Sequence, residues 1–224
     1  MIDKDNAWYE VLKEYLESKE FSNLGRKIAN MRLSSTIFPE PKEVFLLFKM
    51  LDNIANIRVL ILGQSPYPTN NHAMGIAFGT KQNTEPASLV KIKEALLKEG
   101  IKVYDNTLSC WVIQGVFLLN TSLTVEEKKP NSHKVLWFNF IKFLLGKIND
   151  KFEDLPVILI GKDAQEYEKF LSKQKIWKTT HPSLAARTNT KWDYGYVFKE
   201  VNEHLKFNQL PEIDWDNSWL YKIK

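Results

Sequence analysis

Four short apolar runs constrain this chain most. They are "RVLILG" (58–63), "GVFLLN" (115–120), "PVILIG" (156–161) and "KIWKTT" (175–180). The first three are almost unbroken Val, Ile and Leu. A strand covered on one face alternates apolar and polar residues, whereas a strand buried on both faces reads as a continuous apolar run. These segments therefore predict strands of a parallel sheet covered on both sides. Helical patterns lie between them. "PASLVKIKEALLK" (86–98) carries Pro at its start and Gly100 beyond its end. "SHKVLWFNFIKFLLGKI" (132–148) is amphipathic, with Ser132 as its expected N-cap. Further helices are predicted over 163–173 and 195–206, and two or three more in the first 52 residues. Strands alternating with helices give the α/β class: a three-layer αβα arrangement around a central, mainly parallel four-stranded sheet.

The 224 residues suffice for one sizeable core. No repeat, low-complexity tract or linker interrupts them, so a single domain over 1–224 is expected, with residues 1–40 forming a helical N-terminal part. The single cysteine, Cys110, excludes an internal disulfide framework and makes a thiolate metal site implausible. The N-terminal twenty residues are charged throughout and lack the apolar stretch of a signal peptide. A cytoplasmic protein that keeps clear of membranes is expected. The net charge of +4 permits an anionic partner without demanding one. The seven Trp and thirteen Phe serve mostly as packing groups, with a few left to stack on a ligand.

Polar residues follow each apolar run. Gln64, Ser65, Pro66 and Tyr67 follow the first. The second ends on Asn120, the third on Gly161-Lys162-Asp163, and the fourth runs into His181, Pro182 and Ser183. Ligands of open parallel sheets bind beyond the carboxyl ends of the strands. Gln64, Tyr67, Asn120 and His181 are thus expected at one rim despite their separation in sequence. Singly, each has an ordinary structural use: a strand-end amide bonding backbone, a capped loop histidine, a tyrosine packed in a rigid turn. Their shared position is what suggests a pocket.

These residues carry a resemblance to uracil-DNA glycosylases of family 1, the Ung type. "LILGQSPYP" resembles that family's water-activating motif, usually GQDPYH. "GIAFG" with "EPASLVKIKEAL" resembles its base-stacking and proline-serine segment. "LSCWVIQGVFLLNTSLTV", "VILIGKDAQ", "HPSLAAR" (similar to the HPSPL minor-groove loop) and "LPEIDW" extend the match over roughly residues 40 to 215. The resemblance implies hydrolysis of the N-glycosidic bond of deoxyuridine in DNA, without metal or cofactor. Such an enzyme must first take the base out of the stack. Phe78 would then stack on uracil, and Asn120 would read its edge with one donor and one acceptor. Tyr67 would exclude the thymine methyl, and Gln64 would bond the base through its backbone or bracket the turn. His181 would bond the uracil oxygen that gains charge as the bond breaks. Ser88 and Ser183 would hold phosphates, while Pro66, Pro86 and Pro182 stiffen the DNA-binding loops and Arg187 belongs to the loop that meets DNA. Single- or double-stranded uracil-containing DNA is the implied partner, together with DNA-mimicking proteinaceous inhibitors, and a monomer is expected.

Three departures qualify the resemblance. Ser65 stands where the family has the Asp that orients water and faces the sugar cation. Loss of a positioned base costs on the order of 10²–10⁴ in rate, so a slow glycosylase is expected, or a binding protein that has lost turnover. Pro68 replaces the family's His. The wedge loop lacks its second Pro, which leaves Leu184 or Ala185 as the wedge and favours single-stranded substrates. His72, in the same loop as Ser65, is the nearest candidate to replace the carboxylate, although an exposed loop histidine is its simpler role.

Overall fold

The computed structural model describes residues 2–69, 71–103 and 105–216. Residues 217–224, the end of the expected domain, lie outside them. In chain order the elements are α1 (Ala7–Leu16), α2 (Lys19–Arg32), β1 (Ile37–Phe38), α3 (Leu46–Met50), β2 (Val59–Gly63), α4 (Ala87–Leu97), α5 (Ser109–Val112), β3 (Val116–Asn120), β4 (Val125–Glu126), α6 (Lys134–Lys151), β5 (Pro156–Ile160), α7 (Lys162–Gln165), β6 (Lys175–Thr179), α8 (Pro182–Thr188) and α9 (Val197–Phe207). Short 3₁₀ turns punctuate them.

The central sheet has the order β3-β2-β5-β6 and is parallel throughout. Each of the four apolar runs forms one strand. Every residue of β2, β3 and β5 is buried, as continuous apolar runs require. β6 lies at an edge, and its lysines remain exposed. The register sets Gly63 beside Asn120, Leu62 beside Leu159, and Ile160 beside Thr179. All four strand ends therefore finish at nearly one level. A small antiparallel pair, β1 with β4, was not apparent from the sequence.

The N-terminal helices are tied to this sheet by aromatic side chains. Trp8 is fully buried; its ring stacks on Phe117 of β3 at 5.1 Å, and its Nε1 donates to the Leu51 carbonyl. Trp215, from "LPEIDW", packs edge-on against Trp111 and Phe198. Most aromatics are thus packing groups. No helix among the described residues is long and apolar enough to cross a membrane.

Three local expectations differ from the structure. Ser132 does not cap α6: its hydroxyl accepts the Glu126 N–H at 2.9 Å, bracing the β4 turn, and the helix starts two residues later at Lys134. The helix expected over 163–173 stops after Gln165, because the N–H groups of Tyr167, Phe170 and Leu171 switch to i→i−3 bonding. The segment "HPSLAAR", expected as a loop, is mostly helix. Pro182 occupies the first helical position of α8, and His181 caps it.

Candidate active site

A cavity of about 600 Å³ opens at the carboxyl ends of β2, β3, β5 and β6. Its walls include Gln64, Ser65, Pro66, Tyr67, Phe78, Ser88, Asn120, His181, Ser183, Leu184 and Arg187. These segments are far apart in sequence, and the sheet order brings them to one rim. Pro86 and Pro182 lie behind the wall: Pro86 precedes α4, and buried Pro182 opens α8.

β3 delivers Asn120 into the cavity as its last residue. The side chain is only 7% exposed. Among the described residues its amide forms no hydrogen bond. Its donors and acceptor open on the cavity and are free to bond a ligand that enters. Beside it, Phe78 adopts φ 65°, the left-handed region that non-glycine residues seldom occupy. This twist turns its ring against Gly63, where an added Cβ would lie 3.0 Å from Phe78 Cε2 and 2.8 Å from Asn120 Oδ1. Only glycine leaves room for both groups at this strand end.

Tyr67 holds the opposite wall. Its hydroxyl donates to the Phe78 carbonyl at 3.0 Å and accepts from the Ser88 hydroxyl at 3.2 Å. Burial raises its pKa well above the ordinary phenol value, so it stays neutral. His72 is buried, not exposed. It lies behind Tyr67, with its Nδ1 bonded to Thr80 Oγ1 at 3.1 Å and its ring edge-on to the tyrosine. It does not line the cavity and so supports the wall structurally.

His181 enters from the end of β6. Its Nδ1 accepts the Ser183 N–H at 3.2 Å and lies 2.8 Å from the Ser183 hydroxyl. That accepting role assigns the ring proton to Nε2. Burial pushes its pKa down to about 4, with Asp163 opposing and Arg187 assisting the shift. The ring is therefore neutral near pH 7 and has one N–H left to donate. Its centroid lies 5.7 Å from that of Phe78. Gly161 permits this approach, since a Cβ there would come 2.9 Å from His181 Cβ.

Gln64 brackets the turn. Its carbonyl accepts Thr121 N and Oγ1, and its Nε2 donates to Asp163 Oδ2 at 2.5 Å. Asp163 is the wall residue that sequence reasoning passed over. It follows β5 and also accepts from Asn131 Nδ2 at 2.9 Å and Lys134 Nζ at 2.5 Å. Burial opposes its charge, but bonds from Lys134, Gln64 and Asn131 outweigh that cost and hold its pKa below the usual value. The strand-end rule that selected Gln64 and Asn120 applies equally to Asp163; only its partners, 29 to 99 positions away, reveal its setting.

Leu184 is half exposed on α8, whereas Ala185 is buried. Of the two wedge candidates, Leu184 is the one that reaches the surface. No group of three or more His, Cys, Asp or Glu side chains suited to a metal occurs among the described residues.

Comparison with known proteins identifies the family. The uracil DNA glycosylase superfamily model matches residues 51–206. A uracil-DNA glycosylase of Fusobacterium nucleatum subsp. nucleatum is 32% identical over 217 residues, covering 94% of this chain and 95% of that protein. The crystal structure of mimivirus uracil-DNA glycosylase superposes with a TM-score of 0.84 at 26% identity, covering 95% of this chain and 87% of the other. A variant of the mimivirus protein, solved in complex with UGI, gives 0.83 at 26% identity, covering 94% and 88%. The match spans the strands, the rim and the cavity walls alike, and the chain belongs to the uracil DNA glycosylase superfamily.

Proposed function

We propose that the protein excises uracil from DNA, hydrolysing the N-glycosidic bond of a flipped-out deoxyuridine in base excision repair. The observation that carries this reading is the uncommitted, buried amide of Asn120 facing a cavity shared with Phe78 and a neutral, Nε2-protonated His181. Uracil presents an alternating acceptor and donor edge, which an amide matches. Cytosine offers an amine where uracil has a carbonyl, so its pairing would leave a buried group unsatisfied. Phe78 supplies a stacking face. Tyr67 is fixed by its bonds to Phe78 and Ser88, and its ring would be the group that excludes a thymine methyl.

As the glycosidic bond lengthens, electron density moves onto the uracil ring and the sugar becomes cationic. The His181 N–H is a neutral donor that can bond the growing negative charge without losing its proton. Leu184, exposed on α8, would enter the gap left by the base, and Arg187, exposed on the same helix, would meet the DNA backbone. Because Ser65 is uncharged, a reduced rate follows, and because the wedge loop lacks its second Pro, a preference for single-stranded DNA follows. The UGI complex of the mimivirus relative supports a DNA-mimicking inhibitor as a second class of partner.

Ser65 also supports an alternative in which the protein binds uracil-DNA or such an inhibitor without turnover. Single- and double-stranded uracil oligonucleotides, treated with alkali after incubation, separate the two. Excision that falls at least about a hundredfold in Asn120→Ala and His181→Ala supports the enzyme. Excision unchanged in both variants refutes the pocket assignment, and tight binding without excision establishes the alternative.

A further inference from the structure

Ser65 and Asp163 lie at the ends of the adjacent strands β2 and β5 and share one neighbour. The Asn131 backbone N–H points to Ser65 Oγ at 3.4 Å, and the Asn131 side chain donates to Asp163 at 2.9 Å. Gln64, the residue before Ser65, donates to the same carboxylate oxygen. Asp163 and Ser65 both line the cavity, and Asp163 retains about one fifth of its side-chain exposure. Its ion pair does not cancel its charge, because Lys134 is shared with Glu166 at 2.8 Å. Two carboxylates and one ammonium leave the cluster one negative charge in excess. A lone surface pair would be a solvated ornament; this one is tied to the turn that carries Ser65 directly through Gln64 and indirectly through Asn131.

We infer that Asp163 supplies the negative charge that position 65 lacks, a relocated carboxylate that steadies the sugar cation and guides the attacking water. The inference rests on the glycosylase reading. The C1′–N1 bond breaks with its electron pair leaving on the uracil ring. Water then adds to C1′, and its surplus proton passes along neighbouring water to solvent or the departing uracil. The products are uracil and an abasic deoxyribose. A carboxylate that accepts from Gln64, Asn131 and Lys134 stays ionised throughout, so its contribution is chiefly electrostatic and orienting rather than that of a strong base.

The test is single-turnover excision from a saturating single-stranded uracil oligonucleotide by the wild type, Asp163→Asn, Ser65→Asp and the double variant, with folding checked by thermal melting. In the natural background, Asp163→Asn should slow excision at least about tenfold while leaving oligonucleotide affinity near wild type. In the Ser65→Asp background, the same change should cost less than about twofold, because the carboxylate has been restored. Equal losses in both backgrounds would assign Asp163 a purely structural role and overturn the inference, as would a full-speed Asp163→Asn. Excision by Ser65→Asp but not by the wild type would overturn the inference and the glycosylase reading together, leaving a uracil pocket without turnover; the two preceding outcomes overturn the inference alone. Silence from all four folded proteins would remove both. If Asp163→Asn does not fold, Lys134→Met decides: freeing the carboxylate of its ammonium should keep or raise the rate, whereas a structural role predicts a fall.

Discussion

Gly63→Ala is a change of one methyl group on a buried strand, at a residue that contacts no substrate in the proposed mechanism. Its Cβ would lie 2.8 Å from Asn120 Oδ1 and 3.0 and 3.1 Å from two Phe78 ring carbons. Ordinary contact begins near 3.4 Å. The amide must therefore retreat by roughly 0.6 Å and the ring by roughly 0.3–0.4 Å. Their backbones are held, because Asn120 ends a buried strand and the Phe78 carbonyl accepts from Tyr67, so the side chains can yield only by moving into the cavity and off their binding positions. Overpacking of this kind costs about 1–3 kcal/mol of stability. A 1 Å displacement of a reacting group can cost about a hundredfold in rate, so half of that predicts a loss on the order of ten- to a hundredfold. The assay is single-turnover uracil release, well below the variant's melting temperature, paired with a thermal melt. The melt should fall by roughly 2–4 °C for each kcal/mol lost. Gly25→Ala is the control, since no atom lies within 4 Å of its Cβ in α2. It should gain about 0.5–1 kcal/mol and leave excision unchanged. A Gly63→Ala protein that melts like wild type and excises within about threefold of it would refute the reasoning, because the two groups would then be free to move.

Other outcomes follow from the same geometry. Leu184→Ala should slow excision from duplex DNA roughly tenfold and leave single-stranded substrate nearly unaffected, as measured on matched oligonucleotides. Arg187→Ala should weaken binding to any DNA sequence and reduce the slope of log affinity against log salt by about 1, as read from a titration series. His181 has a native pKa of about 4 against 6.5 unfolded. Between these values the unfolded chain binds more protons, so the stability held above pH 6.5 is lost as pH falls toward 4. After discounting for partial exposure this amounts to about 1–2 kcal/mol. Denaturation of wild type and His181→Gln at neutral and acidic pH should show the variant losing less, while an equal loss would place the titration elsewhere.

The sheet was legible because burial on both faces leaves no polar residue within "VLILG", "VFLL" or "PVILI". Polar groups are then pushed to the strand ends, which is why Gln64, Asn120 and His181 could be assigned to one rim. Side-chain alliances were less legible. Ser132 precedes a helical pattern and looks like a cap, yet the Glu126 N–H competes for its hydroxyl. The helix at 182–188 begins with an ordinary signal, Pro at its first position, but the capping group is a histidine rather than Ser or Asp. Asp163 stood in plain view after the third strand. Its meaning depends on Gln64, Asn131 and Lys134, which no local pattern connects.

The strand register also bears on how such a chain can diverge. Gly63 sits beside Asn120, and the side chains of a strand point alternately to opposite faces. A slip of one residue within β3 would present Leu119 at the rim and carry the Asn120 amide past it, so a handful of strand positions tolerate almost no drift. Insertions in the long connections, by contrast, leave every strand end at its level. Vulnerability is concentrated in a few short segments and latitude in the rest of the sequence. A chain built this way can keep only 26% identity with the mimivirus protein and still superpose at a TM-score of 0.84.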